Sequence, residues 1–118
     1  MGLTNWSEIG VDVGTATSTA NAATINKQCG LITTEALTTA AGATYTMTVT
    51  NAAVNASSIV LCTVGKGTCT AGMPAVAFVT AAAGSVVIIL QNIHSANALN
   101  GTIKIGFMVM NATEVPSA

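Results

Sequence analysis

Residues 44–50 read TYTMTVT, and this stretch decides the fold class. Tyr45, Met47 and Val49 occupy alternate positions, and threonine fills the four positions around them. Successive side chains of a β-strand point to opposite faces of the sheet. The period of two therefore predicts a strand that is buried on one face and covered by uncharged polar groups on the other.

The end of the chain repeats this alternation over residues 102–110. One predicted face is uniformly apolar and consists of Ile103, Ile105, Phe107 and Val109. The opposite face carries Met108 and Met110, which we expect to form an exposed apolar contact. Asn100 and Gly101 precede this strand and are typical of a type I′ hairpin turn to the strand at 85–90. Residues 95–99 also allow a longer loop in place of the hairpin.

Further short β-branched segments, separated by turn residues, predict the remaining strands at 22–25, 30–37, 58–64, 74–80 and 85–90. The segment 85–90 is apolar on both faces, which indicates a central strand or a subunit interface. Turns are expected at Gly42, Gly65, Gly67, Gly72 and Gly84. Residues 35–41 are compatible with strand or with one helical turn. About seven strands predict an all-β fold, an antiparallel, jelly-roll-like β-sandwich.

The first twenty residues differ from the rest, because they are rich in Gly, Thr and Ala and lack a long apolar run. We therefore divide the chain into an extended N-terminal arm, residues 1–20, and a β-sandwich domain, residues 21–118. Val11 and Val13 alternate around Asp12 in the arm. The residues expected at an interface are Trp6, Val11, Val13, Met108 and Met110.

Charge is scarce, since 6% of the 118 residues are charged, against about 25% in ordinary soluble domains. The sequence contains 21 Ala and 19 Thr, so a hydrophobic fraction of 51% comes largely from small side chains. Few charges mean little repulsion between copies, which favours self-association or docking. Three lysines and no arginine provide no basic stripe for phosphates, so nucleic acid is not an expected partner.

Catalytic groups are equally scarce: the chain has one His, one Asp and three Glu, spread along its length. No G-x-S-x-G nucleophile motif accompanies His94, which we expect to make hydrogen bonds at a strand end. Residues 65–68, GKGT, fail the phosphate-loop order because glycine follows the lysine. The sequence therefore predicts neither an enzyme nor a cofactor.

Cys29, Cys62 and Cys69 form an odd set, which is unlike a secreted disulfide framework. They could bind zinc with His94 only if the fold gathered all four, because the spacing between Cys62 and Cys69 is not that of a zinc knuckle. We predict no metal and regard Cys29 and Cys62 as small core residues. A bridge between Cys62 and Cys69 across a hairpin loop stays open.

No membrane association is expected, although residues 71–90 are uncharged and about long enough to span a bilayer. Pro74, Gly84 and many β-branched residues in this window favour strands. Residues 1–8 lack the basic and apolar regions of a signal peptide, which predicts synthesis in the cytoplasm.

Several phrases carry a family resemblance: ATINK at 23–27, GLITTEALTTAAGATYT at 30–46, AAGSVVI at 82–88 and ALNGTIKI at 98–105. Together they make residues 22–110 similar to small virion proteins encoded among bacteriophage structural genes, which include capsid decoration, or cement, proteins. The resemblance implies a trimeric β subunit on a phage shell. It carries no catalytic signature.

We therefore expect a virion structural protein on the capsid surface, a cement subunit that binds the major capsid protein and stabilises the shell. A homo-oligomer, a trimer, is the expected state. The alternative is a tail-fibre or knob tip for host attachment, which would expose aromatic and polar contacts to a glycan. An aromatic content of 3% argues against that alternative.

Overall fold

The computed structural model describes residues 13–111, and this part of the chain is all-β, with eight strands and no helix. The strands are β1 Val13–Thr17, β2 Ala22–Thr24, β3 Cys29–Thr33, β4 Thr44–Thr50, β5 Ile59–Lys66, β6 Pro74–Ala82, β7 Ser85–Asn92 and β8 Ile103–Met110. All seven predicted strand segments overlap one of these, and β1 is additional.

The strands form two four-stranded sheets, sheet A in the order β1-β3-β8-β5 and sheet B in the order β2-β4-β7-β6. Four neighbouring pairs are antiparallel, but β1 pairs with β3, and β2 with β4, in parallel. Both sheets are therefore mixed, and the prediction of purely antiparallel pairing is wrong at these two pairs. The chain alternates between the sheets from β1 to β4, so each parallel pair is joined through a strand of the other sheet, as parallel neighbours require a crossover.

The hydrophobic core contains side chains from both sheets. Tyr45, Met47 and Val49 are buried, and the threonines of β4 are exposed, as the alternation predicts. The predicted apolar face of β8 is also buried, with Ile105 and Val109 fully inaccessible. One cluster of buried residues thus joins the two central strands of sheet A to β4 and β7 of sheet B.

The structure decides two connections that the sequence left open and moves one glycine out of its predicted turn. β7 and β8 lie in different sheets, so they form no hairpin, and residues 93–102 make the longer connection. This connection is anchored by Leu99, which is buried. Residues 35–41 contain no helix, and Leu37 bridges to Gly101 instead. Gly65 lies within β5 and not in a turn.

The uncharged window 71–90 contains all of β6 and most of β7. Within residues 13–111, no helix is long and apolar enough to cross a membrane. β7 lies between β4 and β6, so of the two predicted alternatives, a central strand and a subunit interface, the structure shows the first.

Candidate functional site: the outer face of sheet A

The outer face of sheet A carries a row of apolar side chains that crosses all four strands. Val13 pairs with Cys29, Cys29 with Met108, and Met108 with Leu61. Residues directly opposite each other in a ladder point to the same face. On β8, Met108 lies between the buried residues Phe107 and Val109, so the row that contains Met108 points away from the core.

Two flanking rows enlarge this surface, which we call the apolar face. On one side Met110 pairs with Ile59, and on the other Leu31 lies opposite Gly106. The six large side chains of the apolar face are between 38% and 67% exposed: Val13, Leu31, Ile59, Leu61, Met108 and Met110. At strand spacings of about 4.8 Å, the four strands make the face about 14 Å wide.

The apolar face contains no charge within its three rows. Lys104 is the single charged residue among the described outward positions of sheet A, and it lies beyond the apolar rows, opposite Thr33 and Gly65. Contact with a partner would therefore remove apolar side chains from water without stripping the hydration shell of an ion. The face fits a binding surface better than a reaction centre.

Three of the five predicted interface residues, Val13, Met108 and Met110, meet on this face. Trp6 and Val11 lie outside the described residues. The sequence reading missed Leu31, Ile59 and Leu61, which are exposed on the same face. The sequence of β5, IVLCTVGK, contains a signal for such exposure: both faces of this strand begin with apolar residues, and only one face can turn to the core.

The outer face of sheet B is different in chemistry. The four threonines of β4 are exposed there, and across the sheet Thr46 pairs with Ile89, which pairs with Phe78. Phe78 is 69% exposed and follows a register shift in β6. This face combines hydroxyl groups with one exposed aromatic ring.

His94 makes the strand-end hydrogen bonds that the sequence predicted. Its Nδ1 accepts from the backbone N–H groups of Ala96 and Asn97, at 3.0 and 2.9 Å. Its own N–H donates to the side chain of Asn92. The imidazole thus shapes the loop that follows β7.

The three cysteines are free thiols, so no bridge joins Cys62 to Cys69. Burial raises the pKa of Cys62 to about 11, which keeps this thiol protonated and unreactive at neutral pH. Cys69 is buried, and its thiol donates to the carbonyl of Ala71. Within residues 13–111, no three His, Cys, Asp or Glu side chains lie close enough together to hold a metal ion.

One polar cluster was not foreseen from the sequence. Tyr45 and Ser18 both donate to Oε1 of Glu35, at 2.5 and 2.7 Å, and the backbone N–H of Asn21 donates to Oε2. Partial burial raises the pKa of Glu35, but these hydrogen bonds outweigh it and lower the pKa below its ordinary value. Burial, together with Glu35, raises the pKa of Tyr45 to about 12. The cluster ties the β1–β2 connection to β4, a structural task.

The GKGT stretch, residues 65–68, is held by threonines. The backbone N–H of Thr68 donates to Oγ1 of Thr102, and Thr102 returns a bond from its own N–H to Oγ1 of Thr68. Gly67 approaches Thr102 so closely that an added Cβ would lie 2.5 Å from its carbonyl oxygen. The glycine therefore serves backbone packing and not a phosphate.

This close approach gives a matched pair of variants. Gly67→Ala should lower the free energy of unfolding by about 1–3 kcal/mol, because the new methyl group meets backbone that cannot move aside without strain. Gly65→Ala should cost clearly less, since the nearest atom to its added Cβ is 3.9 Å away. Urea unfolding of both variants measures the difference; equal costs would show that the contact at Thr102 is not limiting.

Comparison of the chain with models of protein families, with curated proteins and with solved structures gave no match. The surfaces of the molecule are therefore the evidence on its function.

Proposed function

We propose that this chain is a structural protein of a bacteriophage virion, a capsid decoration or cement subunit on the shell surface. The observation that carries the proposal is the apolar face, six exposed large apolar side chains on four adjacent strands without a charge among them. Contiguous apolar surface of this kind marks a contact site. The proposed partner is the major capsid protein.

The proposed mechanism is physical. A subunit that lies across neighbouring capsid proteins adds buried interface, and binding to the closed shell alone raises the free energy needed to open it. This task requires shape and apolar area, and it requires no catalytic group and no cofactor. The scarcity of charge, 6% of the residues, fits a surface covered by neighbours.

The remaining parts of the proposal concern architecture and assembly. We propose that the two sheets form a jelly-roll-like β-sandwich, supported by the single buried cluster that contains side chains from both. The subunit is proposed to be homo-oligomeric, a trimer, and to be made in the host cytoplasm before joining the particle. It binds neither nucleic acid nor membrane in this proposal.

Occupancy on shells tests the proposed docking face. Particles of the encoding phage that lack this chain would be incubated with purified protein, and bound subunits counted by quantitative mass spectrometry. Leu61→Asp places a charge within the apolar face, opposite Met108, and should weaken binding at least tenfold, because the carboxylate must lose its hydration on docking. A tenfold loss corresponds to about 1.4 kcal/mol.

Thr46→Asp is the matched control, since it introduces the same charge at an exposed position on the outer face of sheet B. This variant should occupy shells like the unchanged protein. If Leu61→Asp occupies shells as fully as the unchanged protein, the apolar face is not the docking surface.

The alternative function, a tail-fibre or knob tip for host attachment, is favoured by one observation. Phe78 is 69% exposed beside the threonine-covered part of sheet B, a combination suited to stacking against a sugar ring. In that case Phe78→Ala would reduce adsorption of particles to host cells and leave shell occupancy unchanged. Unchanged adsorption would dismiss the alternative.

A further inference from the structure

β5 is an edge strand of sheet A, and the register shows which of its backbone groups are free to pair. The backbone N–H of Val109 donates to the carbonyl of Gln28, on the side of β8 that faces β3. The residues of β8 that alternate with Val109 therefore direct their backbone groups to β5. Their partners are residues 59, 61, 63 and 65. The backbone groups of the intervening residues therefore point away from the sheet: Val60, Cys62, Val64 and Lys66.

The same flank of the molecule is incompletely covered. Val60, Cys62 and Val64 turn their side chains inward, yet they are only half-buried, whereas the inward residues of β8 are at most 5% exposed. On sheet B, Val76 and Val79 of β6 are half-buried on the same side of the core. A strand added to β5 would pair the free backbone groups and cover these side chains.

The two edges of this flank are protected differently. β6 begins with Pro74 and contains a register shift between Val76 and Phe78, features that discourage pairing with another strand. β5 contains neither proline nor bulge over its eight residues. β5 is therefore the less protected of the two edges.

A cavity of about 440 Å³ opens at the far end of β5. Its lining is mainly apolar and includes Val64, Cys69, Met73, Pro74 and Ile103, with Lys66 at the same site. Cavities of this size accept a large aromatic side chain or a small ligand. Lys104 lies opposite Gly65 in the ladder, so two of the three lysines of the chain lie at this end of β5.

Residues 1–12 have the complementary chemistry. This segment contains Glu8 and Asp12, two of the four acidic residues of the chain, and no basic side chain. It also contains Trp6, the single tryptophan. Twelve extended residues span about 40 Å, more than the roughly 27 Å of an eight-residue strand.

The exit point of this segment favours a second copy as the acceptor. The segment leads into Val13 on β1, and β1 is the edge of sheet A opposite β5. Val13 lies in the same row as Leu61, and Leu61 is five residues before Lys66 in β5. Trp6 is seven residues from Val13, a reach of at most about 25 Å. The straight path to its own cavity measures about 22 Å over the sheet surface, so residues 6–12 would be stretched across the apolar face and could not also pair along β5.

We propose that residues 1–12 of one copy add as a strand to β5 of a second copy and place Trp6 in the cavity beside Val64 and Met73. Glu8, two residues after Trp6 and on the same face of the added strand, then lies near Lys66 when that strand runs parallel to β5. The interface uses the flank of the molecule, so it leaves the apolar face free for a shell. Its failure would leave the proposed docking function untouched, because the test uses purified protein without shells.

The single tryptophan reports on this interface directly. Purified full-length protein would be diluted in steps while Trp6 emission, acrylamide quenching and sedimentation are measured. At concentrations where copies associate, emission should lie at short wavelength and quenching should be severalfold weaker than for free tryptophan. Dilution should shift the emission to longer wavelength in step with dissociation. Exposed Trp6 in the associated form, or burial that is independent of concentration, would overturn the proposal.

Cys62→Pro removes an N–H that points away from β8, so it blocks strand addition and spares the internal ladder. Cys62→Ala is the matched control, because it keeps that N–H. The proline variant should remain monomeric with exposed Trp6, and the alanine variant should associate like the unchanged protein. Lys66→Glu, which leaves the backbone intact, should weaken association severalfold at low salt. Association of the proline or glutamate variant at the original strength would contradict the proposal.

Discussion

Truncation of Ile105 to alanine is expected to lower the free energy of unfolding by about 2–5 kcal/mol. Ile105 is fully buried at the middle of β8, where it pairs with Ile32 on one side and Val64 on the other. The surrounding strands are held by their ladders and cannot collapse into the space, so a cavity remains. Urea or thermal unfolding of the purified variant measures the loss.

Met108→Ala is the control on the same strand. Its side chain lies on the apolar face and is 43% exposed, so its removal should change stability by less than about 0.5 kcal/mol. Equal losses for Ile105→Ala and Met108→Ala would mean that both faces of β8 are equally buried. The assignment of Met108 to an exposed apolar face would then be wrong.

Asn92→Ala is expected to have the second large effect, about 3 kcal/mol or more. The side chain is buried and makes four hydrogen bonds. Oδ1 accepts from the N–H groups of Met73 and His94, and Nδ2 donates to the carbonyls of Thr39 and Asn97. Each buried group left without a partner costs about 1–3 kcal/mol.

The neighbouring Gln91 supplies the comparison. Its side chain makes one exposed bond, to the carbonyl of Gly42, so Gln91→Ala should cost about 1 kcal/mol or less. Chemical denaturation of both variants gives the difference. A cost for Asn92→Ala as small as that for Gln91→Ala would show that water replaces the lost partners.

Strand identity was predictable where a single segment carries enough information. In β4, apolar residues alternate with threonine. In β8, a uniformly apolar face alternates with a face that contains lysine, glycine and two methionines. Each period identifies the strand and its buried face. Burial of Tyr45, Met47, Ile105 and Phe107 follows from that period alone. Residues 85–90 were likewise predicted as a strand buried on both faces, but the sequence left open whether it is a central strand or lies at a subunit interface.

Pairing was not predictable in the same way. The parallel pairs β1–β3 and β2–β4 depend on which sheet each short strand joins, and no local pattern in Ala22–Thr24 encodes that choice. The turn signal at Asn100 and Gly101 misled for a related reason. Leu99 is buried beneath the loop, so the chain between β7 and β8 packs on the core and does not reverse tightly.

The candidate site required the same non-local information. Exposure of Met108 and Met110 follows from β8 alone, but their contact with Leu61 and Ile59 depends on the ladder between β5 and β8. The cluster of Ser18, Glu35 and Tyr45 joins residues 10 to 27 positions apart and has no sequence signature.

Electron microscopy of intact virions, those of the phage to which the proposal assigns this chain, would decide whether the apolar face is a docking surface. A map that resolves individual strands would locate this chain and show what covers Leu61 and Met108. We expect many copies on the shell, each with the apolar face buried against capsid protein. Particles without the chain, or copies whose apolar face points to solvent, would contradict it.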